Sequence, residues 1–210
     1  TPPDGFFGAM KKELDNRGVL FISDEVQTGW GRTGENFWGY QAHGIVPDMM
    51  TFAKGVGNGL ALGGVVGRAE VMEAMPANSI STFGGNPIAS AGALATINYM
   101  LEHDTQKNSK EMGERLAKGI SKAVSDSSVI AETRGRGLMR AIETVIPDSI
   151  EPNAPAAGQL MEATRAAGLL IGKGGLYGNV IRIAPPMTVT ADEIDEGIAI
   201  LNEAIKDLDN

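Results

Sequence analysis

Two short apolar runs, each ending at a charged residue, constrain the fold of this chain more than any other feature. The first run covers residues 19–22 and is closed by a polar group that includes Asp24. The second covers residues 49–53 and ends at Lys54. Short continuous runs of β-forming residues are typical of strands buried on both faces of a parallel sheet. The runs therefore predict an α/β fold in which Asp24 and Lys54 each follow a strand.

The positions of Asp24 and Lys54 indicate a shared ligand site. Open parallel sheets bind ligands at the carboxyl ends of their strands, so both side chains would face one crevice. Glycines at positions 55, 57 and 59 let the chain leave the sheet sharply and let backbone approach a ligand. A lysine amine can bond to an aldehyde carbon, and a carboxylate can keep a pyridine nitrogen protonated. This chemistry points to pyridoxal 5'-phosphate, although an isolated Asp and Lys are more often a loop cap and a surface lysine.

Two glycine-containing stretches partly match nucleotide-binding motifs, and each departs from its motif at a required position. The glycines after Lys54 would need a further glycine at position 60 for a dinucleotide fingerprint, and that position is Leu60. The stretch of residues 168–173 is one residue short of a phosphate-binding loop, and Gly174 stands where Ser or Thr is required. Neither stretch supports nucleotide binding.

Composition excludes several classes of partner. The 210 residues are 42% hydrophobic, enough for a substantial core, and carry a net charge of −8. This acidic balance, without a basic cluster, argues against nucleic acid. The absence of cysteine and the presence of two histidines predict no metal site. No apolar run has the length of a membrane span and no signal-peptide pattern is visible, so we expect no membrane partner and a cytoplasmic location.

Longer sequence phrases around Asp24 and Lys54 are more specific than the pair alone. They are SDEVQTGWGRTG at 23–34, FWG at 37–39, FAKGVGNG at 52–59 and STFGGNP at 81–87. Together they closely resemble the class III aminotransferases, in order and spacing, over nearly the whole chain. Within that family they are most similar to the alanine–glyoxylate aminotransferases of the second type. The resemblance implies a fold type I transferase that depends on pyridoxal phosphate.

The resemblance assigns roles to residues of the first half of the chain. Lys54 is implied to be the catalytic residue that bonds to the cofactor aldehyde, and Asp24 to hold the ring nitrogen. Val26 is implied to pack under the ring, and Gln27 to reach the ring hydroxyl. Without the resemblance, these last two could equally be a core valine and a loop amide. Arg32 could line the substrate entrance, but a solvated arginine is the interpretation we favour.

Thr82 precedes a sequence signal for a helix start. Asn86 followed by Pro87 is a capping residue with proline at the first helical position. Helix N-termini favour anions, and the resemblance implies that Thr82 contacts the cofactor phosphate of a neighbouring subunit. The site would then lie at the interface of a homodimer. The alternative is that Thr82 is a simple turn residue.

Arg182 is an arginine within an apolar strand closed by two prolines. A buried arginine needs an anion, and its planar fork matches a carboxylate. By resemblance it grips the substrate carboxylate, with a structural salt bridge as the alternative. Downstream, Thr190 and Glu193 predict a capping box at the start of the last helix.

A polar stretch at residues 104–107 suggests a division into two domains. Residues 1–104 resemble the second half of the large parallel-sheet domain that binds the cofactor. Residues 105–210 resemble the small α+β C-terminal domain. The chain thus looks like the carboxyl-terminal half of a longer protein, whose other half would carry the loop for the cofactor phosphate.

The implied reaction moves an amino group from an amino acid to a 2-oxo acid. The donor would be alanine, β-alanine or an ω-amino acid, and the acceptor an oxo acid such as glyoxylate or pyruvate. Transamination of 4-aminobutyrate or ornithine by the same class remains an alternative. A second alternative is a catalytically silent fragment that acts as a folded dimerisation piece. We expect the isolated 210 residues to be inactive.

Overall fold

The computed structural model of the chain describes residues 1–208. They form two compact units, the first covering Thr1–Gln106 and the second beginning at Lys107. Each unit has its own sheet and its own apolar core. The polar stretch at residues 104–107, where the sequence suggests the division, is helical from Thr105 onward.

The first unit contains a short three-stranded sheet and several helices. In chain order its elements are α1 (Phe6–Asn16), β1 (Ile22–Asp24), a 3-10 helix (Gly39–His43), β2 (Met49–Phe52), a second 3-10 helix (Lys54–Gly57), β3 (Gly64–Gly67), α2 (Ala69–Glu73) and α3 (Pro87–Glu102). The predicted helix start at Asn86 is confirmed. The Asn86 side chain accepts a hydrogen bond of 2.9 Å from the Ala89 amide, and Pro87 follows as the first helical residue.

Strand β2 is the centre of this sheet. Strand β1 runs parallel to β2, with Asp24 opposite Thr51. Strand β3 runs antiparallel to β2, with Gly64 opposite Phe52. The sequence predicted a parallel sheet, and β3 departs from it because its connection to β2 is short. A parallel return requires a crossover of roughly a dozen residues or more.

The prediction that residues 19–22 form a strand buried on both faces is wrong. Strand β1 begins at Ile22, and the side chains of Val19, Leu20 and Ile22 are about half exposed, at 48%, 51% and 53%. The reason lies in the position of β1 at the edge of the sheet, where it pairs with β2 on one side. An apolar run favours a strand but does not reveal how many neighbours cover it.

The core of the first unit is small and largely aromatic. Trp30, Val56 and Ala93 are its buried members. Partly buried side chains pack around them: Phe37, Trp38, Phe52, Leu62, Ile97 and Met100. This core therefore joins the loop after β1, the turn after β2 and one face of α3.

The second unit packs helices on an antiparallel sheet. Its elements are α4 (Thr105–Ala123), β4 (Ile130–Arg136), β5 (Met139–Thr144), α5 (Ala154–Ala166), β6 (Gly172–Gly174), β7 (Val180–Ile183) and α6 (Ala191–Leu208). The strands are ordered β4-β5-β7-β6, and each neighbouring pair is antiparallel. The fully buried core side chains include Ile120, Leu138, Ile142, Leu160, Ile181, Leu201 and Ile205.

The capping box predicted at the start of the last helix is confirmed. The Glu193 carboxylate accepts a hydrogen bond of 2.8 Å from the Thr190 amide, and the Thr190 hydroxyl accepts one of 3.3 Å from the Glu193 amide. The bond from the Thr190 amide, and next a bond of 2.9 Å that the Thr190 hydroxyl donates to the same carboxylate, hold the pKa of Glu193 below its usual value. Within residues 1–208 the helices are too short or too polar to cross a lipid bilayer.

Candidate active site

The carboxyl ends of β1 and β2 lie side by side because the two strands are parallel neighbours. Asp24 is the last residue of β1. Lys54 begins the 3-10 helix that follows β2, separated from the strand by Ala53. The structure therefore brings Asp24 and Lys54 to the same end of the sheet, the end where β1 and β2 have their carboxyl termini.

The carboxylate of Asp24 is oriented by its own chain. Its Oδ1 atom accepts a hydrogen bond of 3.0 Å from the Val26 amide and one of 3.3 Å from the Thr51 hydroxyl. The first of these is a local turn bond that Asp side chains commonly make. No donor among residues 1–208 contacts Oδ2, and the residue is exposed. One carboxylate oxygen is thus held in place while the other can accept a hydrogen bond from a ligand.

Lys54 adopts a strained backbone conformation. Its φ of 46° lies in the left-handed region, which costs a residue with a side chain about 1–2 kcal/mol. The next residue but one, Val56, is buried and anchors the turn in the aromatic core. Lys54 itself is exposed and makes no hydrogen bond or ion pair with the described residues. Strain of this kind persists where the surroundings enforce it, which is typical of functional sites.

The remaining predicted cofactor contacts belong to the same unit. Val26 is partly buried and Gln27 is exposed, and the two residues follow Glu25 in the loop after β1. Thr82 is exposed in the irregular segment between α2 and α3. The Asn86 side chain donates a hydrogen bond of 3.0 Å to the Phe83 carbonyl and so ties this segment to the start of α3. The roles of Val26, Gln27 and Thr82 stay predictions.

Arg182 lies in the second unit, on β7 opposite Ala141 of β5 and Gly172 of β6. The premise that it is buried is wrong, because Arg182 is exposed while its neighbours Ile181 and Ile183 belong to the core. Burial therefore does not require an anion beside it. A Cβ at Gly174 would come within 2.8 Å of the Arg182 Cδ, so that glycine makes room for the arginine stem. The substrate role of Arg182 stays a prediction.

Glu25 is the residue of this site that the sequence did not reveal. Its side chain is 1% exposed and its carboxylate accepts hydrogen bonds from two hydroxyls and two backbone amides. Those amides lie 14 and 15 positions further along the chain. A glutamate that follows Asp24 in the sequence carries no signal for such distant donors.

An aromatic cluster supports the turn that carries Lys54. The ring of Trp30 lies 4.8 Å from Trp38, 5.4 Å from Phe52 and 5.6 Å from Phe37, all in edge-on or T-shaped contact. Val56 belongs to the same cluster. Aromatic pairs of this geometry contribute about 0.5–1.5 kcal/mol each beyond the area they bury. The loop after β1 therefore forms a rigid platform beneath the lysine turn.

We favoured the interpretation that Arg32 is solvated, and the structure differs from it. Arg32 is partly buried in the loop after β1, and this burial lowers the pKa of its guanidinium. Removing a charge from water is costly, so a partly buried arginine has a structural or binding role.

The residues present at the edge fit pyridoxal phosphate. Asp24 offers an oriented carboxylate oxygen, and Lys54 offers an exposed amine on a turn fixed by the aromatic core. Residues 1–208 contain no group of three or more His, Asp or Glu arranged to hold a metal ion. The oriented carboxylate and the exposed amine suit an organic cofactor with a cationic nitrogen and an aldehyde.

Comparison with known proteins agrees with this chemistry. The sequence profile of the family described as aminotransferase class-III matches residues 1–205. The chain belongs to the class III aminotransferase family. The family depends on pyridoxal phosphate and has fold type I, as the sequence phrases implied.

Two curated class III relatives illustrate the range of substrates. The chain is 40% identical over 193 residues to alanine–glyoxylate aminotransferase 2 homolog 2 of Arabidopsis thaliana, a mitochondrial protein, and the match covers 91% of this chain and 40% of the relative. It is 41% identical over 207 residues to the 5-aminovalerate aminotransferase of Pseudomonas putida, covering 98% and 48% respectively. The chain thus spans less than half the length of these relatives.

A solved structure shares the fold. A phospholyase from Arthrobacter, in complex with phosphoethanolamine, superposes with a TM-score of 0.92 at 32% identity. The match covers 98% of this chain and 50% of that one. The α/β fold of class III enzymes is therefore present over about half their length.

Proposed function

We propose that a protein carrying this chain transfers an amino group from an amino acid to a 2-oxo acid, with pyridoxal phosphate bound at the edge of β1 and β2. The observation that carries the proposal is the position of Asp24 and Lys54 at the carboxyl ends of two neighbouring parallel strands. This edge is where open α/β sheets bind ligands.

Lys54 and Asp24 have different roles in the proposed reaction. When bound, pyridoxal phosphate supplies an aldehyde carbon and a ring that accepts electrons. Lys54 would hold the cofactor through that carbon until the amine of the substrate displaces it. The released Nζ would then accept the proton that leaves the substrate carbon and return it, as general base and general acid. Asp24 keeps the proton on the ring nitrogen, because an adjacent negative charge favours the protonated form.

The other predicted residues position the cofactor and the substrate. Val26 packs against the ring, Gln27 hydrogen-bonds the ring hydroxyl, and Thr82 contacts the phosphate of a neighbouring subunit in a homodimer. Arg182 binds the substrate carboxylate through its planar guanidinium. These assignments follow the family resemblance, and the exposure of Thr82 and Arg182 is compatible with both.

The donor we propose is alanine, β-alanine or an ω-amino acid, with glyoxylate or pyruvate as acceptor. Similarity to an alanine–glyoxylate aminotransferase homologue supports this choice. Similarity to a 5-aminovalerate aminotransferase supports the alternative, a longer ω-amino acid such as 4-aminobutyrate or ornithine. Because the chain spans less than half of these relatives, a second candidate is a folded dimerisation piece without activity of its own.

Single-turnover colour changes test these candidates. A protein in which this chain is joined to the amino-terminal half of a class III aminotransferase is first saturated with pyridoxal phosphate and then mixed with each amino donor in turn. Loss of the cofactor colour with alanine or β-alanine, and its return with glyoxylate, is the expected result. Colour loss with 5-aminovalerate or 4-aminobutyrate alone would favour the ω-amino acid alternative. A preparation that never becomes coloured would favour the silent piece.

The substrate role of Arg182 is tested in the same assay. Replacing Arg182 with alanine removes the guanidinium but leaves Asp24 and Lys54 intact. We expect weaker binding of carboxylate donors with unchanged cofactor colour. Lost colour with unchanged donor affinity would contradict the assignment.

A further inference from the structure

Glu25 occupies an unusual position between two cofactor residues of the proposed site. Its carboxylate is buried and accepts four hydrogen bonds. Oε1 accepts from the Ser23 hydroxyl at 2.9 Å and the Tyr40 amide at 2.8 Å. Oε2 accepts from the Thr28 hydroxyl and the Gly39 amide, each at 2.6 Å. Both oxygens are therefore fully committed to the protein itself, and the side chain is not available to a ligand.

These bonds close the loop of residues 28–40 onto the end of β1. The backbone of Glu25 adds two more, with its amide donating to the Thr51 carbonyl and its carbonyl accepting from Gly29, both at 2.9 Å. The closure is tight, because a Cβ at Gly39 would lie 2.5 Å from the Thr28 Cβ and 3.0 Å from Oε2 of Glu25. Glu25 thus links β1, β2 and both ends of the loop.

The closed loop also reaches the lysine turn. Its residue Trp30 packs with Val56, which is two positions beyond Lys54. A Cβ at Gly55, the residue next to Lys54, would lie 3.6 Å from the Trp30 ring. One continuous set of contacts therefore runs from Glu25 through the loop to Lys54, while the peptide bond joins Glu25 directly to Asp24.

We propose that Glu25 is a positioning residue that fixes Asp24 and Lys54 relative to each other by holding the loop of residues 28–40. The inference rests on the proposed function, in which both residues contact one cofactor. Glu25 touches neither substrate nor cofactor. It acts on Asp24 through the peptide bond, and on Lys54 through the loop of residues 28–40, whose Trp30 packs against the lysine turn.

The hydrogen-bond pattern explains why a carboxylate is needed. A glutamine has one accepting oxygen and an NH2 group that donates. Its NH2 group would meet the Tyr40 amide if placed at Oε1, or the Gly39 amide if placed at Oε2. The Ser23 or Thr28 hydroxyl could turn to accept, but one backbone amide would lose its partner in either orientation. An unsatisfied buried donor costs about 1–3 kcal/mol.

The test compares Glu25→Gln with a matched control, Asp48→Asn. Asp48 is also a buried carboxylate of the first unit, but it precedes β2 and so lies at the opposite edge of the sheet. Both tryptophans of the chain, Trp30 and Trp38, lie in the loop that Glu25 holds. Tryptophan emission therefore reports on the loop, and hydrogen exchange of residues 53–57 reports on the lysine turn, without any cofactor.

We expect Glu25→Gln to shift the emission to longer wavelength and to speed exchange at residues 53–57, with neither change in Asp48→Asn. The dissociation constant for pyridoxal phosphate should rise about tenfold in Glu25→Gln. In an Asp24→Asn background the same substitution should have a clearly smaller effect, since the position of Asp24 no longer matters. Simple loss of stability would act equally in both backgrounds, and that additive result would overturn the proposal.

Two further outcomes keep the proposal decidable. If Glu25→Gln does not fold, Thr28→Val removes a single bond to Oε2, and the same shifts in emission and exchange are expected at smaller size. Unchanged emission and exchange in Thr28→Val would then overturn the proposal. If the unsubstituted protein binds no pyridoxal phosphate, the proposed function fails. The inference about Glu25 is then decided by emission and exchange alone.

Discussion

Asp24 and Thr51 face each other directly across the parallel pair of strands, and the Thr51 hydroxyl donates a hydrogen bond of 3.3 Å to Asp24 Oδ1. Strand pairing thus orients the carboxylate. Thr51→Val removes this donor, whereas Thr51→Ser retains it. We expect Thr51→Val to weaken pyridoxal phosphate binding about threefold to tenfold, as for loss of one ordinary hydrogen bond. A cofactor titration of both variants measures the effect, and equal affinities would contradict it.

The strained conformation of Lys54 predicts a conflict between stability and function. Because φ is 46° at this position, glycine should be tolerated better than alanine. We expect Lys54→Gly to be more stable to denaturant than Lys54→Ala by about 1 kcal/mol, although both lose the amine. Equal unfolding free energies would show that the turn relaxes around alanine.

The environment of Asp48 predicts that the free energy of unfolding depends on pH in the acidic range. The Phe21 amide first, and the Arg68 guanidinium next, hold the pKa of Asp48 below its usual value, with Lys11 nearby as a further positive charge. A carboxyl whose folded pKa is depressed stabilises the fold above its unfolded pKa of about 3.9, and this contribution is lost as the pH falls through the folded pKa. Unfolding free energy measured from pH 6 downward should therefore fall less steeply below about pH 4 in Asp48→Asn. Parallel curves would refute this.

Close packing between α4 and the turn after β4 predicts an intolerant glycine. A Cβ at Gly113 would lie 2.4 Å from the backbone of Gly137, whereas a Cβ at Gly158 in α5 would meet nothing within 4 Å. We expect Gly113→Ala to destabilise the protein by about 1–3 kcal/mol. The control Gly158→Ala should stabilise it by about 0.5–1 kcal/mol, since alanine is the better helix former. Denaturant unfolding measures both, and a Gly113→Ala variant as stable as the control would contradict the packing.

Sequence patterns predict those features of this chain that depend on neighbouring residues. The start of α3 at Asn86 and the capping box at Thr190 are local, and both are present as predicted. The run before Lys54 likewise ends in a strand and a sharp turn, because apolar β-formers followed by glycines leave few alternatives.

Features that depend on distant contacts could not be predicted. The bonds of Glu25 come partly from amides 14 and 15 positions away, and a single sequence does not show which residues a loop brings back. The exposure of Val19 and of Arg182 depends on what covers each face of a sheet, which apolar runs do not specify. The antiparallel direction of β3 followed from loop length, which the prediction of a parallel sheet did not take into account.

The attachment of pyridoxal phosphate to Lys54 tests the central claim most directly. The protein is incubated with pyridoxal phosphate, treated with borohydride to make the bond permanent, and digested for mass spectrometry. Lys54→Arg keeps the positive charge and serves as the control. The account predicts one modified lysine, Lys54, and no stable label in Lys54→Arg. Label spread over other lysines, or equal labelling of the control, would contradict it.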